Sequence, residues 1–223
     1  MHLALTTNFY RRFATALFLG FGFWTIFAYT PPIYFSITLA LILFLIITFE
    51  WSHFFPINRP TFWITLPLYP SLPFILLIHI NHMPAYRHLL FILFILVFSF
   101  DTGSYIVGSL WGKHPISRNI SYHKTWEGFI GGYLFALAGL VFIVWEQHII
   151  YSPSILIPFT LLVCVLSLCG DLFESFLKRR AGLKDSGTLL PGHGGFLDRF
   201  DGILFAVFFF YFCREFLATL FHI

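Results

Sequence analysis

The sequence predicts an all-α fold: a polytopic integral membrane helical bundle, roughly seven transmembrane helices with a cytoplasm-facing polar site. The membrane class follows from a mean hydropathy of +0.84 and a hydrophobic content of 58%, with 32 phenylalanines among 223 residues. Such a composition far exceeds what a soluble domain of this size needs for its core. The polar site follows from charge placement, because 15 of the 23 charged residues fall in two segments, 101–128 and 171–201. Solvated loops alone would scatter those charges, so the two segments are expected to build one site.

Uncharged runs cover 13–49, 60–86, 128–145 and 147–170, each long enough for one or two helices of about 20 residues. The expected spans are 13–30, 33–50, 61–80, 88–108, 128–146, 154–172 and 203–221. Arg11 and Arg12 precede the first run as they would in a signal peptide. No small-residue cleavage site follows, and the hydrophobic sequence continues, so the run reads as a span. Pro67, Pro70 and Pro73 make the third span kinked or partly re-entrant. Asp101 interrupts the fourth, and Arg214 lies within the seventh. With no repeat and no linker, residues 1–223 read as one membrane domain, helices 1–100 preceding a half, 101–223, that carries the chemistry.

Eleven of the 13 lysines and arginines fall at the N-terminus and in the second, fourth and sixth loops. Under the positive-inside rule this places the N-terminus and both charged segments in the cytoplasm. Cys164, Cys169 and Cys213 lie in apolar runs without metal-ligand spacing and read as packing residues. His79 and His82 share a helix face but lack acidic or cysteine company for a metal.

The segment GDLFESFLKRR places Asp171, Glu174, Ser175 and Lys178 on one narrow arc of a helix end. A solvated helix end is one reading of that stripe, with Arg179 and Arg180 equally suited to anionic lipid. An aspartate at the edge of a span, however, needs a partner. Downstream, KDSGTLLPGHGGFLDRFDG supplies glycines that allow close backbone approach. Asp198 and Asp201 offer hard oxygen ligands suited to Mg²⁺ held partly by phosphates. Lys184, His193 and Arg199 add cations or donors beside them. A glycine-rich loop closed by a salt bridge is the alternative. Asp101 is a candidate by virtue of its apolar surroundings. Lys113, Lys124, Trp126 and Glu127 precede the glycine-rich helix start GFIGG. The lysines suit a triphosphate; Trp126 reads first as an aromatic-belt anchor and second as a stacking surface for a base.

Ser175 followed by LKRR, KDSG, PGHGG and LDRFD closely resembles the signature of the phosphatidate cytidylyltransferases, the CDP-diacylglycerol synthases. DTGSYIVG and KTWEGFIGG are similar to two further segments of that family, with Tyr122 standing where proline is common. Before Asp101 the likeness is generic, with RRFATAL and FE as weak echoes. The resemblance implies transfer of CMP from CTP to phosphatidate in phospholipid biosynthesis, with Mg²⁺ required. It implies Asp171 and Asp198 as metal ligands, with Asp201 and Glu174 as further ligands. Ser175, Lys178, Arg179, Lys184, Asp185, His193 and Arg199 become the catalytic and phosphate-holding set. Asp101, Lys113, Lys124, Trp126 and Glu127 become the nucleotide-binding set.

The expected partners are CTP, phosphatidate and the bilayer, with no nucleic acid; a homodimer is left open. The expected location is a bacterial inner membrane. Other readings are a CTP-using enzyme acting on an isoprenoid lipid phosphate, and a transporter with Asp101 and Asp171 binding an ion. A CDP-alcohol phosphotransferase is disfavoured, because DGILFA does not meet its D-G-x-x-A-R motif. Asp198→Asn is expected to abolish turnover and leave the yield of folded protein near normal.

Overall fold

In the computed structural model of the protein, the described residues are 20–118, 120–146, 153–189 and 194–222. Helix α1 is described over 20–29, so the expected first span, 13–30, lies partly outside the described residues. Then come α2 (Pro32–Phe54), α3 (Pro60–Asn81) and α4 (Arg87–Trp111). A hairpin of β1 (Pro115–Ser117) and β2 (Ser121–Thr125) follows, and then α5 (Trp126–Glu146), α6 (Pro153–Arg180), α7 (Leu197–Phe212) and α8 (Arg214–Leu220). Among the described residues five helices are long and apolar enough to cross a membrane, and α7 with α8 makes a sixth if that bent pair is one span. The protein is an integral membrane protein.

Large apolar side chains lie more than half exposed along these helices, among them Phe44, Ile64 and Phe142. Exposure on this scale suits hydrocarbon and not water. The three prolines of α3 act as expected: Pro67–Ser71 forms a π-helical turn, and Tyr69 leaves helical geometry at φ −153°, ψ 118°. The last span differs from the expected single helix 203–221. Its axis turns by 83° between α7 and α8, with Cys213 at φ −99°, ψ 14°. Arg214 explains the break, since a guanidinium is costly in hydrocarbon. It donates from Nη1 to the Tyr211 carbonyl at 2.9 Å and lies over the rings of Tyr211 and Tyr86 at 4.9 and 5.8 Å.

The chain forms two compact units, one of Met1–Met83 with Leu177–Phe200, the other of Pro84–Phe176 with Asp201–Ile223. In the first, Phe35 is fully buried between Phe23 and Phe27, with ring centroids at 4.9 and 5.0 Å. Phe74 packs against Phe200 at 5.3 Å. Asn81 ties α3 to α2, donating to the Pro32 carbonyl at 2.7 Å and to Ser36 Oγ at 2.9 Å. Ser36 Oγ also meets His82 Nε2 at 2.9 Å, which gives that histidine a packing role.

In the second unit α4 and α5 approach along glycines, as helices do where hydrocarbon offers no drive to associate. A Cβ on Gly103 would lie 2.6 Å from the Phe135 Cβ, and one on Gly132 would overlap Ser104 Oγ. The α6 and α7 backbones also meet at glycine: a Cβ on Gly170 would overlap the Asp201 carbonyl, and one on Gly202 would overlap Ser167 Oγ.

Candidate active site

In the first unit, α6 ends in a Schellman turn. Gly182 adopts φ +72°, and Leu183 N and Gly182 N donate to the Lys178 and Arg179 carbonyls at 2.8 and 3.1 Å. This turn frees the chain to fold back towards the start of α7. Lys178 then donates to Asp198 Oδ1 at 2.6 Å, with the two side chains only 12% and 8% exposed. Asp198 Oδ2 accepts from Gly195 N at 2.8 Å, Ser186 Oγ at 2.9 Å and Ser186 N at 3.0 Å. The carboxylate thus knots both ends of the loop, and Gly194, at φ +79°, supplies the left-handed residue the turn requires.

Arg179 donates to the Leu183 carbonyl at 3.2 Å. Lys184, Asp185 and Arg199 are exposed around this knot. His193 lies outside the described residues. Asp198, expected as a metal ligand, has both oxygens engaged by donors of the chain itself.

In the second unit, the other expected residues lie at the hairpin and on α4, α5, α6 and α7. Lys124, on β2, forms an ion pair with Asp171, on α6. Thr125 caps α5, its Oγ1 accepting from Gly128 N at 3.1 Å. Glu127 Oε2 accepts from Lys113 N and His114 N, both at 3.2 Å, and Oε1 meets His114 Nδ1 at 2.5 Å. Glu127 therefore closes the base of the hairpin and holds the Lys113 backbone in place. Trp126 is 54% exposed, with its ring edge-on to Phe129 at 6.3 Å. Glu174, Ser175 and Asp201 are buried, and Asp201 Oδ1 accepts from Gly202 N at 2.8 Å. Asp101 is half-buried on α4.

Hard oxygen ligands are present on Asp171, Glu174 and Asp201, yet among the described residues no three Asp, Glu, His or Cys side chains gather into a metal-holding group. Such a donor set fits a dication that keeps its waters and arrives with substrate phosphates, which takes only one or two carboxylates. It does not fit a preformed cage.

Sequence reasoning missed Glu50, Ser186 and His53. Glu50 is fully buried and accepts from Phe196 N at 2.7 Å, Leu197 N at 2.8 Å and Ser186 Oγ at 3.1 Å. His53 Nδ1 lies 3.3 Å from the Ser186 carbonyl. The available signal was that Glu50, at the end of an uncharged run, is the only acidic residue before Asp101.

The sequence model of the cytidylyltransferase family matches residues 3–217. A phosphatidate cytidylyltransferase of Staphylococcus haemolyticus is 42% identical over 120 residues, which are 54% of this chain and 46% of that protein. One of Staphylococcus aureus is 43% identical over 124 residues, with the same shares. One of Haemophilus influenzae is 36% identical over 182 residues, 77% of this chain and 63% of that protein. The chain thus spans about half the length of the Staphylococcus relatives it matches. Taken with the knotted signature loop, the match over residues 3–217 establishes that the chain belongs to the cytidylyltransferase family.

Proposed function

We propose that the chain transfers the cytidylyl group of CTP to phosphatidate, giving CDP-diacylglycerol and pyrophosphate. The observation that carries this reading is the loop from Lys178 to Asp198, where a nearly buried ammonium and carboxylate meet at 2.6 Å within the signature run. The names of the relatives support the substrate pair. The setting is a bacterial inner membrane, with the N-terminus and both charged segments cytoplasmic, as the lysine and arginine distribution supports.

A phosphatidate oxygen attacks the α-phosphorus of CTP. A phosphorus–oxygen bond forms there as the bond to the β-bridging oxygen breaks, and pyrophosphate leaves with that electron pair. The lipid phosphate is ionised near neutral pH, so no general base is needed. The obstacle is repulsion between two anions, and the work of the chain is alignment and neutralisation. Lys178, Arg179, Lys184 and Arg199 hold phosphates, Ser175 donates to one, and His193 and Asp185 shape or assist the loop. Lys124 and Lys113 serve the nucleotide, and Trp126 offers an exposed face for the cytosine. Glu127 keeps the hairpin in register, and Asp101 supports the polar surroundings. Asp171, with Glu174 or Asp201 as a second carboxylate, would hold Mg²⁺, which supplies positive charge to the phosphates; Asp171 would share its charge between the ion and Lys124. Asp198 keeps Lys178 in place and would bind the ion only by giving up that contact.

The test is pyrophosphate release by the detergent-purified protein with CTP and Mg²⁺, with and without phosphatidate, followed by identification of the lipid product. Phosphatidate-dependent release with CDP-diacylglycerol formed is the expected result. Release with an isoprenoid phosphate and none with phosphatidate would overturn it.

A further inference from the structure

Glu50 sits at the end of α2, yet its hydrogen bonds reach 136 to 147 residues along the chain. A carboxylate with no solvent exposure is costly unless donors surround it. Here they are two backbone N–H groups at the start of α7 and one hydroxyl. The first turn of any helix leaves N–H groups without intrahelical acceptors. Glu50 supplies the acceptors from another helix, and its negative charge suits the positive end of the α7 dipole. The helix terminus where an anion would otherwise settle is therefore taken by a side chain of the protein. Those two N–H groups are not open to a substrate phosphate.

The contact extends further. Ser186 Oγ lies 3.1 Å from Glu50 Oε2 and 2.9 Å from Asp198 Oδ2, so the single hydroxyl proton is shared between two carboxylates. Asp198 in turn holds Lys178. Space is tight on the same side: a Cβ on Gly187 would lie 2.9 Å from Glu50 Cγ, and one on Gly195 would lie 2.6 Å from Glu50 Cδ. The chain of contacts runs from Glu50 through Ser186 and the 194–198 turn to Asp198 and then to the Lys178 ammonium.

We propose that Glu50 is a positioning residue for the reaction, fixing the place of Lys178 through Ser186 and Asp198. This rests on the cytidylyltransferase reading above. It makes α2, which lies more than 100 residues before the signature run, part of the catalytic apparatus.

The test compares full-length wild type, Glu50→Gln, Ser186→Ala and the double variant, by steady-state kinetics and by amide hydrogen exchange. Glutamine keeps the shape but turns an NH₂ group towards one of the donors. Glu50→Gln is expected to lower kcat about 10- to 100-fold, the range for losing hydrogen bonds to a charged group, with KM for CTP changed less than about threefold. Exchange should quicken at 186 and 194–198 and stay unchanged in α4 and α5. Ser186→Ala should lower kcat by a smaller factor, and the double variant should be no worse than about twofold below Glu50→Gln, as one pathway requires. Independent, multiplying losses would overturn the proposal, and so would unchanged exchange at 186–198. If Glu50→Gln does not fold, Ser186→Ala decides: unchanged kcat with unchanged exchange refutes the link. Should wild type make no CDP-diacylglycerol, the reaction is wrong, while the exchange comparison still reports whether Glu50 holds the loop.

Discussion

Asp198→Asn alters one atom at the centre of the knotted loop, and its cost can be worked from the contacts. An asparagine has one acceptor oxygen where aspartate has two. If the amide nitrogen takes the place of Oδ1, it faces the Lys178 ammonium that now lies 2.6 Å away. If it takes the place of Oδ2, it faces Gly195 N, Ser186 N and Ser186 Oγ, now at 2.8 to 3.0 Å. Either orientation orphans at least one buried donor, costing about 1–3 kcal/mol, and up to about 3–5 kcal/mol if the orphan is the lysine. A loss of about 3 kcal/mol corresponds to a Tm lower by about 6–12 °C for a chain of this size. The substitution should therefore cost folded yield as well as turnover, unlike the near-normal yield expected from the sequence. Thermal unfolding in detergent beside pyrophosphate release measures both. Adding Lys178→Met removes the orphaned charge, so the double variant should recover about 1–2 kcal/mol relative to the sum of the singles, without recovering activity. Asp198→Asn with an unchanged Tm would show that these contacts carry no net energy, and the reasoning would fail.

Lys124→Met should lower kcat/KM for CTP about 10- to 100-fold and lower Tm by about 2–8 °C, for a loss of about 1–2 kcal/mol, because Lys124 and Asp171 are each only about a quarter exposed and Asp171 loses this partner; steady-state kinetics and a melting curve test this. Trp126→Phe should raise KM for CTP about three- to tenfold if the exposed ring stacks on cytosine, and an unchanged KM assigns it to the membrane interface. Chelation of divalent ions should abolish pyrophosphate release and leave helical circular dichroism and Tm unaltered, since no three-carboxylate group is built among the described residues; a fall in Tm would reveal a structural ion.

Much of this architecture was legible because the bilayer makes a simple demand, a long apolar helix with its charges at the ends. The expected 88–108, 128–146 and 154–172 fall within α4, α5 and α6, which extend to Trp111, Glu146 and Arg180. Pro67, Pro70 and Pro73 announced the distortion of α3 because each removes a backbone donor. The turn at Cys213 was not legible, since it depends on the rings that Arg214 meets, one of them Tyr86 from a distant loop. The candidate site was readable as a set of residue types but not as a set of pairs. Charge pattern nominated Asp171, Asp198 and the lysines; only coordinates show that Lys124 takes Asp171 and Lys178 takes Asp198. Glu50 escaped because two of its three partners are backbone amides, which every residue but proline carries and no pattern singles out.

The shortness of α7 bears on the lipid around it. Its 16 residues rise about 24 Å at 1.5 Å per residue, several ångströms less than the roughly 30 Å hydrocarbon thickness of a typical bilayer. A mismatch of this size is met either by local thinning of the membrane around α7 or by the bent α7–α8 pair spanning together. Thinning would bring headgroups closer to the N-terminal turn of α7, where the loop of Lys178 and Asp198 is fastened. Under the proposed reaction, a double-chained phosphate ester would then leave the leaflet by a shorter distance, with its tails still solvated by neighbouring chains.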